Sequence, residues 1–343
     1  MLKCKTSIMK RLFLLFLIIC SASFNSCIKN GEDEFSQKQC VLKLAETHPE
    51  NFPTTSAANY FARLVNERSH GRITVKVYTN GSLGDELSVV EQVQYGGIDF
   101  ARVSMSVITN FYPEMDVLTL PFIYKNKVHQ WEVLNGQIGH SFLSNLKNVG
   151  LTGLCYYDSG ARSFYITKDV SSIDELKNKK IRIQESDVME AFISRFGATP
   201  VKLPFTEVAS ALRDGIVDGA ENNWSSFMSS GCYKYAPYFI QDEHARIPEV
   251  LIASSLALQK LPLEDRILIK QCAQDSVMYQ MELWQEYEEN AKSTMLQSGV
   301  KLIELPSDQI TELKKAAIRS YRELPTSQLK VLEEIFTLGK KYQ

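Results

Sequence analysis

The side chains in this sequence best placed to do chemistry are arginines in strand-like or turn-like surroundings. In the K-I-R-I-Q run at 180–184, period-two alternation puts Ile181 and Ile183 on one face and Arg182 with Gln184 on the other. A guanidinium in an apolar, β-rich segment needs an anionic partner, and its planar fork matches a carboxylate through two parallel hydrogen bonds. Arg162 follows a D-S-G-A turn at 158–161, and Arg102 lies near the end of the strand-like run D-F-A-R-V-S at 99–104. Each arginine has two readings at this level: an internal ion pair with Asp or Glu, or a clamp for a carboxylate ligand. The E-N-N-W run at 221–224 adds two amides, Asn222 and Asn223, and the ring of Trp224. Amides suit hydroxyls and an indole suits the C–H face of a sugar; the alternative is a loop capped by Asn with Trp224 packed in the core.

Signatures of catalysis are missing. There is no G-x-S-x-G elbow, no H-E-x-x-H and no G-x-x-x-x-G-K-[ST] loop. The five histidines, at 48, 70, 129, 140 and 244, are not spaced as a metal pair, and Glu46 with His48 reads as a solvated or hydrogen-bonded pair. No carboxylate pair is singled out for acid–base work. A binding protein without cofactor or metal is therefore expected, not an enzyme.

The elements that must hold these side chains read as α/β. Strands are expected at 41–46, 73–78, 98–103, 151–157, 163–167, 180–184 and 250–258, with a short turn and strand at 215–220. Helices are expected at 55–67, 86–95, 186–196 and 207–213, and a capped helical start at 172–176. Strands alternating with helices predict mostly parallel sheets with binding at strand C-terminal ends. The longest helical pattern, about 263–298, meets no Gly or Pro until Gly299. At 1.5 Å per residue it would run about 50 Å, enough for a strut crossing two domains.

The first residues are addressed for export. Lys3, Lys5, Lys10 and Arg11 precede an apolar run at 12–20, which as helix would rise only about 13 Å against a bilayer core of roughly 30 Å. Residues 1–26 read as a signal peptide, and Ser26-Cys27 resembles a lipoprotein cleavage site in which Cys27 is lipidated. Residues 27–39, polar and aperiodic, read as a tether. Removing the signal leaves 34 basic against 40 acidic residues, about −6, which argues against nucleic acid or an anionic membrane surface as partner. The membrane is met only through the lipid. Cys40, Cys155, Cys232 and Cys272 remain, widely spaced, and read as buried thiols. The remaining ~300 residues suffice for two domain cores.

Taken together, nine short motifs resemble the DctP-like solute-binding proteins of TRAP (tripartite ATP-independent periplasmic) transporters. They are H-P at 48, G-R-I-T-V-K-V-Y at 71, G-S-L-G at 81, G-G-I-D at 96, L-T-L-P-F at 118, G-A-R-S-F-Y at 160, K-I-R-I-Q-E-S at 180, L-P-F-T-E-V at 203 and D-G-A-E-N-N at 218. Each is weak alone; nine in this order over about 180 residues are specific, and the similarity covers 40–305. The resemblance implies a two-domain periplasmic-binding-protein fold with a hinge and a long domain-spanning helix. The domains would be 40–159 plus 248–287 and 160–247 plus 288–343. It also implies that Arg182 clamps the ligand carboxylate, that Arg162 and Asn222 assist, and that Phe205 walls the pocket. The runs at 157–163 and 221–224 look like members that bind hexuronates such as D-glucuronate or D-galacturonate. In that group Glu46, His48, Glu86, Arg102 and His244, with Asn223 and Trp224, would meet sugar hydroxyls and ring. The run A-R-V-S-M-S-V at 101–107 departs from the pattern, as does the lipid anchor.

The implied function is capture of a sugar acid by a periplasmic, membrane-anchored lipoprotein that delivers it to TRAP permease subunits. Three alternatives stand beside it: a binder of a C4-dicarboxylate or other organic acid, an exported glycan-active enzyme, and a sensory or adhesive lipoprotein.

Overall fold

The computed structural model describes residues 40–342, so the expected signal peptide, lipidation site Cys27 and tether lie outside the described residues. Two sheets organise the chain. The first has the order β2 (Ile73–Tyr78), β1 (Cys40–Ala45), β3 (Phe100–Ser104), β10 (Glu249–Ser254) and β4 (Leu151–Tyr157). The second runs β11 (Lys301–Ile303), β9 (Tyr238–Ala245), β5 (Arg162–Ile166), β8 (Gly219–Asn222), β6 (Lys180–Ile183) and β7 (Thr199–Lys202). The chain crosses between the sheets at 158–161 and again at 246–248.

Both sheets are mixed, a correction to the mostly parallel expectation. β1 pairs in parallel with β2 and β3, but β10 runs antiparallel between β3 and β4. In the second sheet β6 is parallel to β7 and β8, whereas β5 is antiparallel to both β8 and β9. The antiparallel strands lie beside the crossovers, where the chain returns from the other sheet without an intervening helix.

Strand alternation sorts core from cleft. Ile181 and Ile183 are fully buried in an apolar cluster with Phe164 and Phe192, which leaves Arg182 for the other face of β6. The helices keep to the expected places: α1 (Pro53–Arg68), α2 (Glu86–Gln94), α5 (Asp187–Arg195) and α6 (Val208–Arg213). Ser186 caps α5 by accepting the Met189 N–H, which is why the helix begins one residue late. The strand expected to reach 258 stops at Ser254. The Ser254 hydroxyl accepts the Ala257 N–H, capping the short helix α8 (Ser255–Gln259).

Not anticipated from the sequence were α3 (Lys127–Asn135), α4 (Gln137–Asn145), α7 (Trp224–Ser229), β7, β9, α10 (Ser307–Tyr321) and α11 (Thr326–Gly339), although α4, α10 and α11 are amphipathic. The strut is α9 (Leu263–Gln297), 35 residues. Near its start Asp265 takes a two-bond fork from Arg72, at 2.7 and 2.9 Å. In its middle Gln280 accepts the Asp158 N–H and donates to the Asp158 carbonyl, both at 2.8 Å, and near its end Lys292 reaches Gln241 of β9 at 2.8 Å. One helix therefore grips the first sheet's half, the crossover and the second sheet. The C-terminal segment straps back: α10 lies on α5, while in α11 Gln328 donates to the Pro113 carbonyl at 2.9 Å. Among the described residues no helix is long and apolar enough to cross a membrane.

Candidate ligand-binding cleft

Between the sheets lies a cleft of about 220 Å³, below the roughly 300–1,000 Å³ of drug-sized sites and suited to a small metabolite. Thr47, Asp85, Glu86, Leu87, Ser88 and Val107 line it from the first sheet's side. Arg182, Gln184, Glu185, Leu203, Pro204, Phe205 and Thr206 line it from the second.

Arg182 is almost wholly buried, and its Nε and Nη2 donate to the Leu203 carbonyl at 2.9 and 2.6 Å. Its Nη1 has no hydrogen-bond partner, and among the described residues no carboxylate lies within ion-pair distance of it. Burial pushes the guanidinium below the ordinary arginine value, opposed by Glu221 and Tyr165 and reinforced by Arg162. A cation fixed by one neutral carbonyl, with donors left over and cut off from water, gains from an anion.

The other two arginines are paired internally. Arg162 grips Glu221 through Nε and Nη2, donates also to the Glu221 carbonyl at 2.9 Å, and reaches the Asn222 Oδ1 at 3.0 Å. Burial works to lower the Arg162 value, but Glu221 raises it. Arg102 is shared by three carboxylates: Glu46 through Nε (2.9 Å) and Nη2, Glu86 at 3.0 Å and Glu249 at 2.6 Å. Glu249, the third arm, was not foreseen; it opens an otherwise apolar strand, the same signal that marked Arg182.

The remaining expected residues divide. Glu86 lines the cleft, and His48 stacks on Phe52 at 3.9 Å while meeting the edge of the cleft wall Phe205 at 4.7 Å. Burial pushes the His48 imidazole well below its ordinary value, with Arg102 acting in the same direction, so it is neutral. His244 lies behind Arg162, with its Nδ1 2.8 Å from Asp242 and its Nε2 3.6 Å from Glu221. Asn223 is committed to structure: its Oδ1 accepts the Ser226 N–H, capping α7, and its Nδ2 donates to the Ser159 carbonyl. Trp224 stacks on Phe239 at 3.6 Å in the second sheet's core. Asp242 escaped notice, although the Asp-x-His spacing on a strand sets both side chains on one face. All four described cysteines are free; three are buried and Cys40 is half-buried.

Two mixed sheets with their helices, joined by crossovers and a strut and carrying a buried cation on the cleft wall, define the architecture of a solute-binding protein. The chain matches the DctP family, bacterial extracellular solute-binding protein family 7, over residues 44–328, and belongs to it. That family is the solute-binding component of TRAP transporters, not a catalyst; its members are periplasmic, bind small-molecule acids and work with TRAP permease subunits. A TRAP solute-binding protein from Bradyrhizobium sp. btai1, crystallised with α/β-D-galacturonate, shares 36% identity and superposes with a TM-score of 0.83, covering 86% of this chain and 98% of its own. The sugar acid binding protein DctPAm from Advenella mimigardefordensis, in complex with galactonate, gives 27% identity and a TM-score of 0.85 over 89% of this chain and 99% of its own. The C4-dicarboxylate-binding protein DctB of Bacillus subtilis is 29% identical over 316 residues, 91% of this chain and 90% of that one.

Proposed function

We propose that the protein is a lipid-anchored periplasmic receptor that captures a hexuronate-type sugar acid and hands it to TRAP permease subunits. The observation that carries this reading is Arg182: a buried guanidinium on the cleft wall, held by a backbone carbonyl, with donors free for a carboxylate. Asn222 and Arg162, joined at 3.0 Å, back that wall, and Phe205 closes its edge. Glu86 faces a ligand from the first sheet, with Glu46 and Arg102 holding it in place. His48 supplies an apolar ring surface beside Phe205, and His244 fixes Glu221 from behind. Asn223 and Trp224 support this wall through the α7 cap and the core stack. That each sheet falls within one part supports the domain division 40–159 plus 248–287 and 160–247 plus 288–343, with α11 packed against the first part. Structures of similar proteins with galacturonate and galactonate support the ligand class.

Arg182→Ala should lose about 2–5 kcal/mol of uronate binding, because the ligand's charge is then buried unpaired. Calorimetry that returned near wild-type affinity for D-galacturonate and D-glucuronate would refute the clamp. The anchor rests on Ser26-Cys27 and is tested separately. Cys27→Ser should move the protein from the membrane fraction to the soluble periplasmic fraction, and a variant that stayed membrane-bound would remove the lipid from the account.

A further inference from the structure

The cleft is electrically lopsided. On one wall stands Arg182, with no carboxylate paired to it among the described residues. On the other, a single guanidinium, Arg102, is shared by Glu46, Glu86 and Glu249, so carboxyls outnumber cations three to one. Of the three, Glu86 is the one that reaches the cleft. Its Oε1 accepts from Arg102 at an ordinary 3.0 Å and from the Thr47 hydroxyl at 3.3 Å, while Oε2 accepts the Ser104 N–H in a long bond of 3.3 Å. An oxygen so lightly held can still accept from a ligand hydroxyl. It offers nothing to a ligand carboxylate, which has no proton to give and carries the same charge.

We propose that Glu86 is a specificity-determining residue that makes the wall opposite Arg182 anionic, admitting acids with one carboxylate and hydroxyls at the far end while rejecting acids with a second carboxylate there. This rests on the cleft being the sugar-acid site. The groups that face Glu86 are Arg102 and Ser104 from β3, Glu46 from β1 with Thr47 and the neutral His48 just beyond it, and Glu249 from β10. Asp85 adjoins it on its own helix, and Arg182 and Glu185 stand across the cleft. Burial raises Glu86 to about 7; Glu249 and Glu46 add to this and Arg102 opposes it. The wall is therefore most negative above pH 7 and loses charge below it.

The test is calorimetry on the mature protein with D-galacturonate and with galactarate, the same carbon skeleton bearing carboxylates at both ends. Both ends of galactarate are ionised at pH 6 and at pH 8, carboxyls titrating near 4. Wild type at pH 8 should prefer galacturonate. That preference should shrink roughly tenfold or more at pH 6, and by a similar factor in Glu86→Gln at pH 8, as one charge contact is removed. Galacturonate binding with a preference that neither pH nor Glu86→Gln alters overturns the selectivity role and leaves the cleft assignment standing. Failure to bind galacturonate or any other monocarboxylate sugar acid overturns both. Should Glu86→Gln not fold, the wild-type pH comparison decides the matter alone.

Discussion

At positions 162 and 182 the same side chain meets two environments. Arg162 finds Glu221 diagonally across the antiparallel β5–β8 ladder, two positions from the Phe164 that Glu221 faces, and their two-bond fork leaves the arginine little to offer a ligand. Arg182, on a parallel strand with only backbone within reach, keeps its charge available. Behind Arg162 the pairing continues as Glu221, His244 and Asp242, all buried. Burial alone would lower the His244 value, but Asp242 and Glu221 outweigh it and raise the imidazole to about 9, while Glu221, against its own burial, is held at about 2 by Arg162 and His244. The folded protein thus keeps a proton on His244 that an unfolded histidine, near 6.5, has lost. This stabilisation is complete below pH 6.5 and disappears as pH rises to 9, up to about 3 kcal/mol in all. Urea unfolding at pH 6.5, 8 and 9 should show that decline in wild type and a flatter profile in His244→Gln. Parallel profiles for the two proteins would mean that the histidine is neutral in the fold.

Elements were legible where one physical signal governed them. β2 and β4 came out with the expected bounds, 73–78 and 151–157; β-branched and aromatic residues fill β2, and Tyr156 and Tyr157 close β4. α9 was readable because nothing in 35 residues breaks it. Where two signals competed, the boundary moved. The run from 250 to 258 is apolar except at Ser254 and Ser255; Ser254 offers its hydroxyl to the Ala257 N–H, and a helix starts inside what was expected as strand. β9, Y-F-I-Q-D-E-H-A, was invisible because half its residues are polar; Asp242 holds the His244 imidazole, which lies between Glu221 and the core ring of Phe164, on which it stacks at 4.4 Å. The site followed the same division. Arg182 betrayed itself as a charge in an apolar run. The three-carboxylate hub at Arg102 joins residues 46, 86, 102 and 249, a long-range meeting that no local pattern records. Asn223 and Trp224 have ligand-like chemistry but local duties, a cap and a stacking partner, which a sequence cannot tell from binding.

On the scale of the molecule, the proposed capture by closure depends on what the two walls gain by coming together. Several contacts bridge the cleft: His48 against Phe205, Ser104 Oγ donating to Gln184 at 3.4 Å, and Asn110 Nδ2 donating to the Glu185 carbonyl at 2.9 Å. The last is the shortest hydrogen bond of the set and sits on the cleft's exposed rim, where it exists only while the walls are close. A ligand shifts the population toward closure by its extra contacts in that state, and a rim bond adds to the same balance. Removing it should cost the closed state the net worth of one hydrogen bond, about 0.5–1.5 kcal/mol. Asn110→Ala should therefore weaken uronate binding roughly 2- to 10-fold. The loss should fall on dissociation, since the encounter with an open cleft does not use the bond. The ligand-free melting temperature should fall only slightly, because the side chain is exposed and its other bonds, to the Ser106 and Val107 carbonyls at 3.3 and 3.2 Å, are long. Stopped-flow dissociation as slow in Asn110→Ala as in wild type would show that closure is held by the ligand alone.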